Sequence, residues 1–153
     1  MFTLTEIYEM AITLEKNGKK FYEEALNRVT DEQIKKLLAF LHDQEVRHLE
    51  VFTQFKNEHY EKNPQSKKTP PGMEDFVHDI MAGRLFSWED HPIIEENTSF
   101  QSILQAALEF EKDGLTFFQF MKEALDSPED LSEMERILEE EREHVEKLTS
   151  LEI

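Results

Sequence analysis

Two short patterns carry side chains that could do chemistry. Glu45-Val46-Arg47-His48 and Glu141-Arg142-Glu143-His144 each place a carboxylate three residues before an imidazole, a spacing that puts both groups on one face of a helix. Such a pair offers a hard anionic oxygen and a neutral nitrogen to one cation, a donor mix that suits iron or manganese. Alone the pattern is weak: 26 Glu and six His in 153 residues give roughly one Glu-x-x-His pair by chance. Its setting is more specific. Glu15 opens EKNGKKF (Glu15–Phe21) and Glu111 opens EKDGLTF (Glu111–Phe117), and a single shift of 96 positions relates Glu15 to Glu111, Glu45 to Glu141 and His48 to His144. Ala11 and Ala107 obey the same shift, as do Glu50 and Glu146. A repeat with no insertion between its motifs reads as a duplicated helical hairpin.

The elements that must position these groups follow from periodicity. Helical spacing runs over 4–28, 31–61, 99–125 and 128–150, and short turns make segments one and two, and three and four, antiparallel hairpins. Thr3 with Glu6 and Thr30 with Gln33 fit a capping box, and Ser127 before Pro128 fits an N-cap followed by proline at the first helical position. Between the hairpins, 62–98 holds Pro64, Pro70, Pro71, Pro92 and Trp88, with a short amphipathic piece from Met73 to Met81. A connection of that length suits a crossover along a four-helix bundle, with a short helix inside it.

On each long segment the 3–4 spacing of a buried stripe picks out apolar residues interrupted midway. Tyr8 and Ala11 lead to Glu15, Gly18 and Tyr22; Leu38 and Leu41 lead to Glu45, His48 and Phe52. Leu104 and Ala107 lead to Glu111, Gly114 and Phe118; Met134 and Ile137 lead to Glu141, His144 and Leu148. The interruptions also share a level. Glu15 and Glu45 lie 15 residues either side of Thr30, and Glu111 and Glu141 lie 15 either side of Asp126. Four carboxylates and two imidazoles are therefore expected in one layer of the core. Unpaired, each carboxylate there would cost several kcal/mol in desolvation and would repel the others. Two divalent cations would cancel the charge and satisfy the donors.

Composition narrows the alternatives. Apolar residues are 39% of the chain and charged residues 33%, with four Gly and five Pro, a profile expected of one soluble helical domain over 1–153. A net charge of −17 repels phosphate backbones and anionic headgroups, so neither nucleic acid nor membrane is an expected partner. Without cysteine there can be no disulfide, thiolate centre or thiol nucleophile within the chain. The opening MFTLTEIYEM lacks basic residues and an unbroken apolar run, so neither signal peptide nor anchor is expected there, and a cytoplasmic location is the default.

Together the EKxG and ExxH pairs in register resemble the rubrerythrin-related branch of the ferritin-like di-iron carboxylate superfamily, across all four long helices. The resemblance implies an all-α ferritin-like four-helix bundle holding two Fe ions, with Mn as the alternative. It implies that Glu45 and Glu141 bridge the metals, that Glu15 and His48 complete one site, and that Glu111 and His144 complete the other. Two departures are visible. The cysteine-free chain has no rubredoxin-like module, and Gly114 stands where rubrerythrins carry an extra Glu, so the ligand switch of their peroxidase cycle is not carried over.

Other residues receive simpler readings. Tyr8 and Tyr22 are expected as core tyrosines with bonded hydroxyls, with a redox or hydrogen-bonding role at the site as the sharper reading. His42, one turn before Glu45, could be an extra ligand, but its repeat partner is Leu138. His59, His78 and His91 are read as surface residues, and Asp75 with His78 offers no third ligand. Glu139–Glu143 is read as a solvated face from which only Glu141 turns inward. Gly18 and Gly114 either leave room for metal and oxidant or let helices pack closely. The leading expectation is a di-iron redox enzyme that reduces hydrogen peroxide or dioxygen with electrons from an external donor, as a homo-oligomer, expected to be a dimer. A ferroxidase that handles Fe(II) as substrate and a metal-free helical interaction module are the alternatives.

Overall fold

The computed structural model describes residues 1–59, 66–81 and 99–151. Among them are α1 (Leu4–Leu26), α2 (Glu32–Glu58), α3 (Met73–Met81), α4 (Phe100–Ala124) and α5 (Pro128–Thr149). The four long helices begin and end within three residues of the boundaries expected from periodicity, and α3 is the short helix expected in the crossover. Pro64, Trp88, His91 and Pro92 lie outside the described residues.

Helix starts follow from side chains that take up unpaired backbone N–H groups. Thr3 and Glu6 form the expected capping box on α1, both bonds at 3.0 Å. On α2 the cap is one residue later than expected. Asp31, not Thr30, accepts from Gln33 N at 2.9 Å and Ile34 N at 3.1 Å, because one carboxylate oxygen serves two donors at the positive end of the helix. Ser127 caps α5 ahead of Pro128. In the crossover, Pro70 C=O accepts from Met73 N at 3.1 Å across a turn with Gly72 at φ 87°, a conformation glycine adopts without strain.

Helices α1 and α2 form one antiparallel hairpin and α4 and α5 the other; α1 packs on α4 and α2 on α5, which closes the bundle, and α3 lies on α4. One feature was not expected from periodicity. Phe2 and Thr3 form β1, which pairs antiparallel with β2 (Ser66–Lys67) in the register Phe2 to Lys67 and Thr3 to Ser66. The Met1 amino group also pairs with Glu74, so the chain start is tied to the crossover. Among the described residues no helix is long and apolar enough to cross a membrane.

The buried apolar side chains fall into two separate clusters. One gathers around Tyr8, Ala11, Leu14, Phe52, Phe117 and Phe118, the other around Phe21, Tyr22, Leu41, Leu104, Leu108 and Leu148. Along α1, α2 and α5 the Glu and His positions lie in the break between them, and on α4 the break lies between Leu108 and Phe110, just before Glu111.

Candidate metal centre

That break is filled by Glu15, Glu45, His48, Glu111, Glu141 and His144, none more than 1% exposed. The structure thus brings all six sequence-derived positions into one layer, one Glu from each of α1 and α4 and a Glu-x-x-His pair from each of α2 and α5. Both imidazoles turn Nδ1 inward. His48 Nδ1 lies 3.2 Å from Glu141 Oε1 and 3.8 Å from Glu15 Oε2; His144 Nδ1 lies 3.5 Å from Glu111 Oε2 and 3.8 Å from Glu141 Oε1. The two rings stack with centroids 6.1 Å apart. Two clusters of candidate ligand atoms, each spanning no more than 4.8 Å, result: Glu15, His48 and Glu141 in one, and Glu45, Glu111, Glu141 and His144 in the other. Glu141 is common to both. Glu45, given an equal bridging place by resemblance, groups only with the second, its carboxylate lying over Gly18.

Whether a metal pair fits is decided by unmet bonding. Among the described residues, eight buried side-chain N or O atoms lack a hydrogen-bond partner, and seven belong to this layer: both Glu45 oxygens, Glu15 Oε2, Glu111 Oε2, Glu141 Oε1 and the Nδ1 atoms of His48 and His144. Buried polar atoms are ordinarily satisfied, and an orphan costs about 1–3 kcal/mol or more when charged. Seven converging on one closed layer fit a pair of bound cations. The oxygen-rich, thiolate-free donor set matches iron or manganese.

Protons take up part of the strain when cations do not. Burial, then the negative charge of Glu15, hold the Glu45 carboxyl well above the usual carboxylate range. Burial and the charge of Glu111 do the same to Glu141. Burial also pushes Glu111 up, but the nearby Glu141 carboxyl, the His144 imidazole and the Tyr22 hydroxyl outweigh it and bring that group down to about 2.

Tyr22 meets both readings given to it. It is fully buried and donates its hydroxyl to Glu111 Oε1 at 2.6 Å, and burial, then the charges of Glu111 and Glu45, raise its pKa well above the ordinary value, so it stays a donor. The residue 96 positions on is Phe118, so only one half of the layer has this bond. Tyr8 donates to Asp130 Oδ2 at 3.3 Å, outside the layer. His42 is no part of the cluster; it turns toward Glu23 at 3.1 Å and Asp43 at 3.3 Å. His78 is exposed as expected. His59 is a correction: it is half-buried and bonds Asp130 Oδ2 through Nε2 at 2.7 Å, because the end of α2 reaches the first turn of α5. Glu140 is a second correction. It is not solvated but 20% exposed, and its Oε2 accepts from His48 Nε2 at 2.8 Å and pairs with Arg47. A charged residue beside a stripe gives no sign in sequence of which neighbour it will meet.

The two glycines separate by their surroundings. A Cβ on Gly18 would stand 2.5 Å from Phe110 Cζ and 2.9 Å from Glu45 Oε2, whereas one on Gly114 would meet nothing closer than Leu14 Cδ2 at 3.5 Å. Gly18→Ala is expected to destabilise, since overpacking costs roughly 1–3 kcal/mol against about 1 kcal/mol of helix propensity regained. Gly114→Ala keeps the propensity gain alone, about 1 kcal/mol. Denaturant unfolding of the two variants should give shifts of opposite sign.

No protein-family model matches the sequence, and no curated protein matches it. A solved structure does match: the crystal structure of a Thermotoga maritima protein described, provisionally, as a ferritin-like diiron-carboxylate protein. The two superpose with a TM-score of 0.73 at 22% identity, over 98% of this chain and 94% of that one. The likeness is one of architecture, and the chain has a ferritin-like helical fold.

Proposed function

We propose that this ferritin-like bundle is a non-haem di-iron redox protein that reduces hydrogen peroxide or dioxygen with electrons from a separate donor. The observation that carries the reading is the set of seven partnerless donor atoms converging in one closed layer, with Glu141 common to both candidate ligand clusters. Glu15 and His48 would hold one iron, Glu111, His144 and Glu45 the other, and Glu141 would serve both. A ferrous pair supplies two electrons, which with two protons reduce one peroxide to two waters. The chain's own part is positional. Both Nδ1 atoms face the layer, Tyr22 O–H fixes Glu111 through Oε1, and burial of all six groups excludes bulk water from the reaction.

The test uses protein from iron-supplemented cells. About two irons per chain are expected, as the ligand set holds a pair, and the anaerobically reduced protein should be reoxidised by one peroxide per pair, with turnover when reductant is supplied. Consumption of excess Fe(II), with many irons accumulating per chain, would instead establish the iron-handling alternative, which the net charge of −17 favours by drawing cations to the surface. Protein that retains no metal would refute both.

A further inference from the structure

The duplicated hairpins are not equivalent around their histidines. His48 Nε2, the atom facing away from the metal layer, lies 2.8 Å from Glu140 Oε2, and the same oxygen pairs with Arg47. Arg136 Nε approaches the other carboxylate oxygen at 3.4 Å. The 96-residue repeat places Gln44 where the second half would need a counterpart of Glu140, and Glu143 where it would need Arg47. Among the described residues no side chain hydrogen-bonds His144 Nε2. The His144 ring instead stands perpendicular to Phe40, centroids 5.8 Å apart, and Phe40 is 39% exposed.

We propose that Glu140 is a positioning residue that makes the two metal positions unequal. A carboxylate on Nε2 can only accept, so it requires the proton on Nε2 and leaves the Nδ1 lone pair toward Glu15 and Glu141. Tautomer and ring orientation of His48 are thus set before any cation arrives, and a partner of this kind also strengthens the imidazole as a donor. Arg47 and Arg136 hold Glu140 in place and offset its charge. His144 has its Nδ1 aimed equally well, but among the described residues no side chain fixes its proton. Loss of Glu140 should therefore act on one position of the two.

The inference rests on the two-metal reading above, and the experiment separates their failures. Anaerobic Co(II) titration of the wild type should resolve two bound ions, with two hyperfine-shifted exchangeable imidazole N–H protons in the NMR spectrum, one exchanging more slowly. Glu140→Ala should weaken one Co(II) dissociation constant by about 10–100-fold, the range for lost partners of ligating histidines, and abolish the slow exchange while the other ion and proton are unchanged. Glu140→Gln, which keeps an acceptor without the charge, should fall between. Equal weakening of both ions, or none, would overturn the role of Glu140 while leaving the metal pair intact. A wild-type chain that takes up no Co(II) pair would overturn the two-metal reading and this inference with it.

Discussion

Glu141→Gln should abolish uptake of the metal pair and at the same time make the metal-free protein harder to unfold. Glu141 is the one carboxylate common to both candidate ligand clusters, so its loss removes a donor from each metal at once. The amide keeps the volume and leaves no cavity, which separates the electrostatic effect from packing. In the metal-free wild type, burial and the neighbouring Glu111 charge penalise the ionised Glu141, which lowers stability wherever the unfolded chain would ionise that group. The neutral amide escapes that penalty. For the wild type, saturating metal adds stability by mass action, about 2.7 kcal/mol at a hundredfold excess over Kd. The expected result is a crossing: the variant is more stable than wild type in chelator, less stable in Fe(II) or Mn(II), and carries less than half the metal. Thermal unfolding with and without metal, together with metal analysis, checks this. A variant that loads metal normally would remove Glu141 from the site.

Metal uptake should release protons, since ligands must deprotonate to bind. They come from Glu45 and Glu141, whose carboxyls burial holds above the usual range; Glu111, brought down to about 2, has none to give. The stability of the metal-free protein follows with a definite sign. Raised folded-state pKa values at Glu45 and Glu141 contribute stability fully present below the unfolded value of about 4.5 and lost as pH climbs through the folded values. The depressed Glu111 contributes in the opposite sense, present above about 4.5 and lost as pH falls toward 2. Metal-free protein should thus weaken on going from mildly acidic to alkaline pH, while metal affinity rises over the same interval. Calorimetry in buffers of different ionisation enthalpy counts the protons. Release of none would show that the layer is fully ionised before metal enters.

Much of this centre could be read from spacing because helices report their buried face with a fixed period. Glu15, Glu45, Glu111 and Glu141 sit where that period demands apolar residues, and the shared offset from Thr30 and Asp126 puts them at one height once each hairpin folds. The residues that escaped notice belong to contacts between elements rather than within one. Glu140 neighbours His48 only because α2 and α5 pack at a particular rotation, and His59 reaches Asp130 only because α2 extends to the start of α5. Pairing of Phe2–Thr3 with Ser66–Lys67 likewise joins two-residue strands, too short for alternation to show. The shift of the α2 cap from Thr30 to Asp31 is a competition between adjacent side chains with nearly equal capping strength.

The two apolar clusters do not merge across the layer of Glu and His, so the bundle has a waist where oily contacts give out. Cohesion there falls to polar groups, a few of them hydrogen-bonded through Tyr22 and Glu140 and the rest in need of a cation. If the layer takes up cations as proposed, protein without them would be two greasy ends joined through that waist, and its lifetime against proteolysis would track the supply of metal.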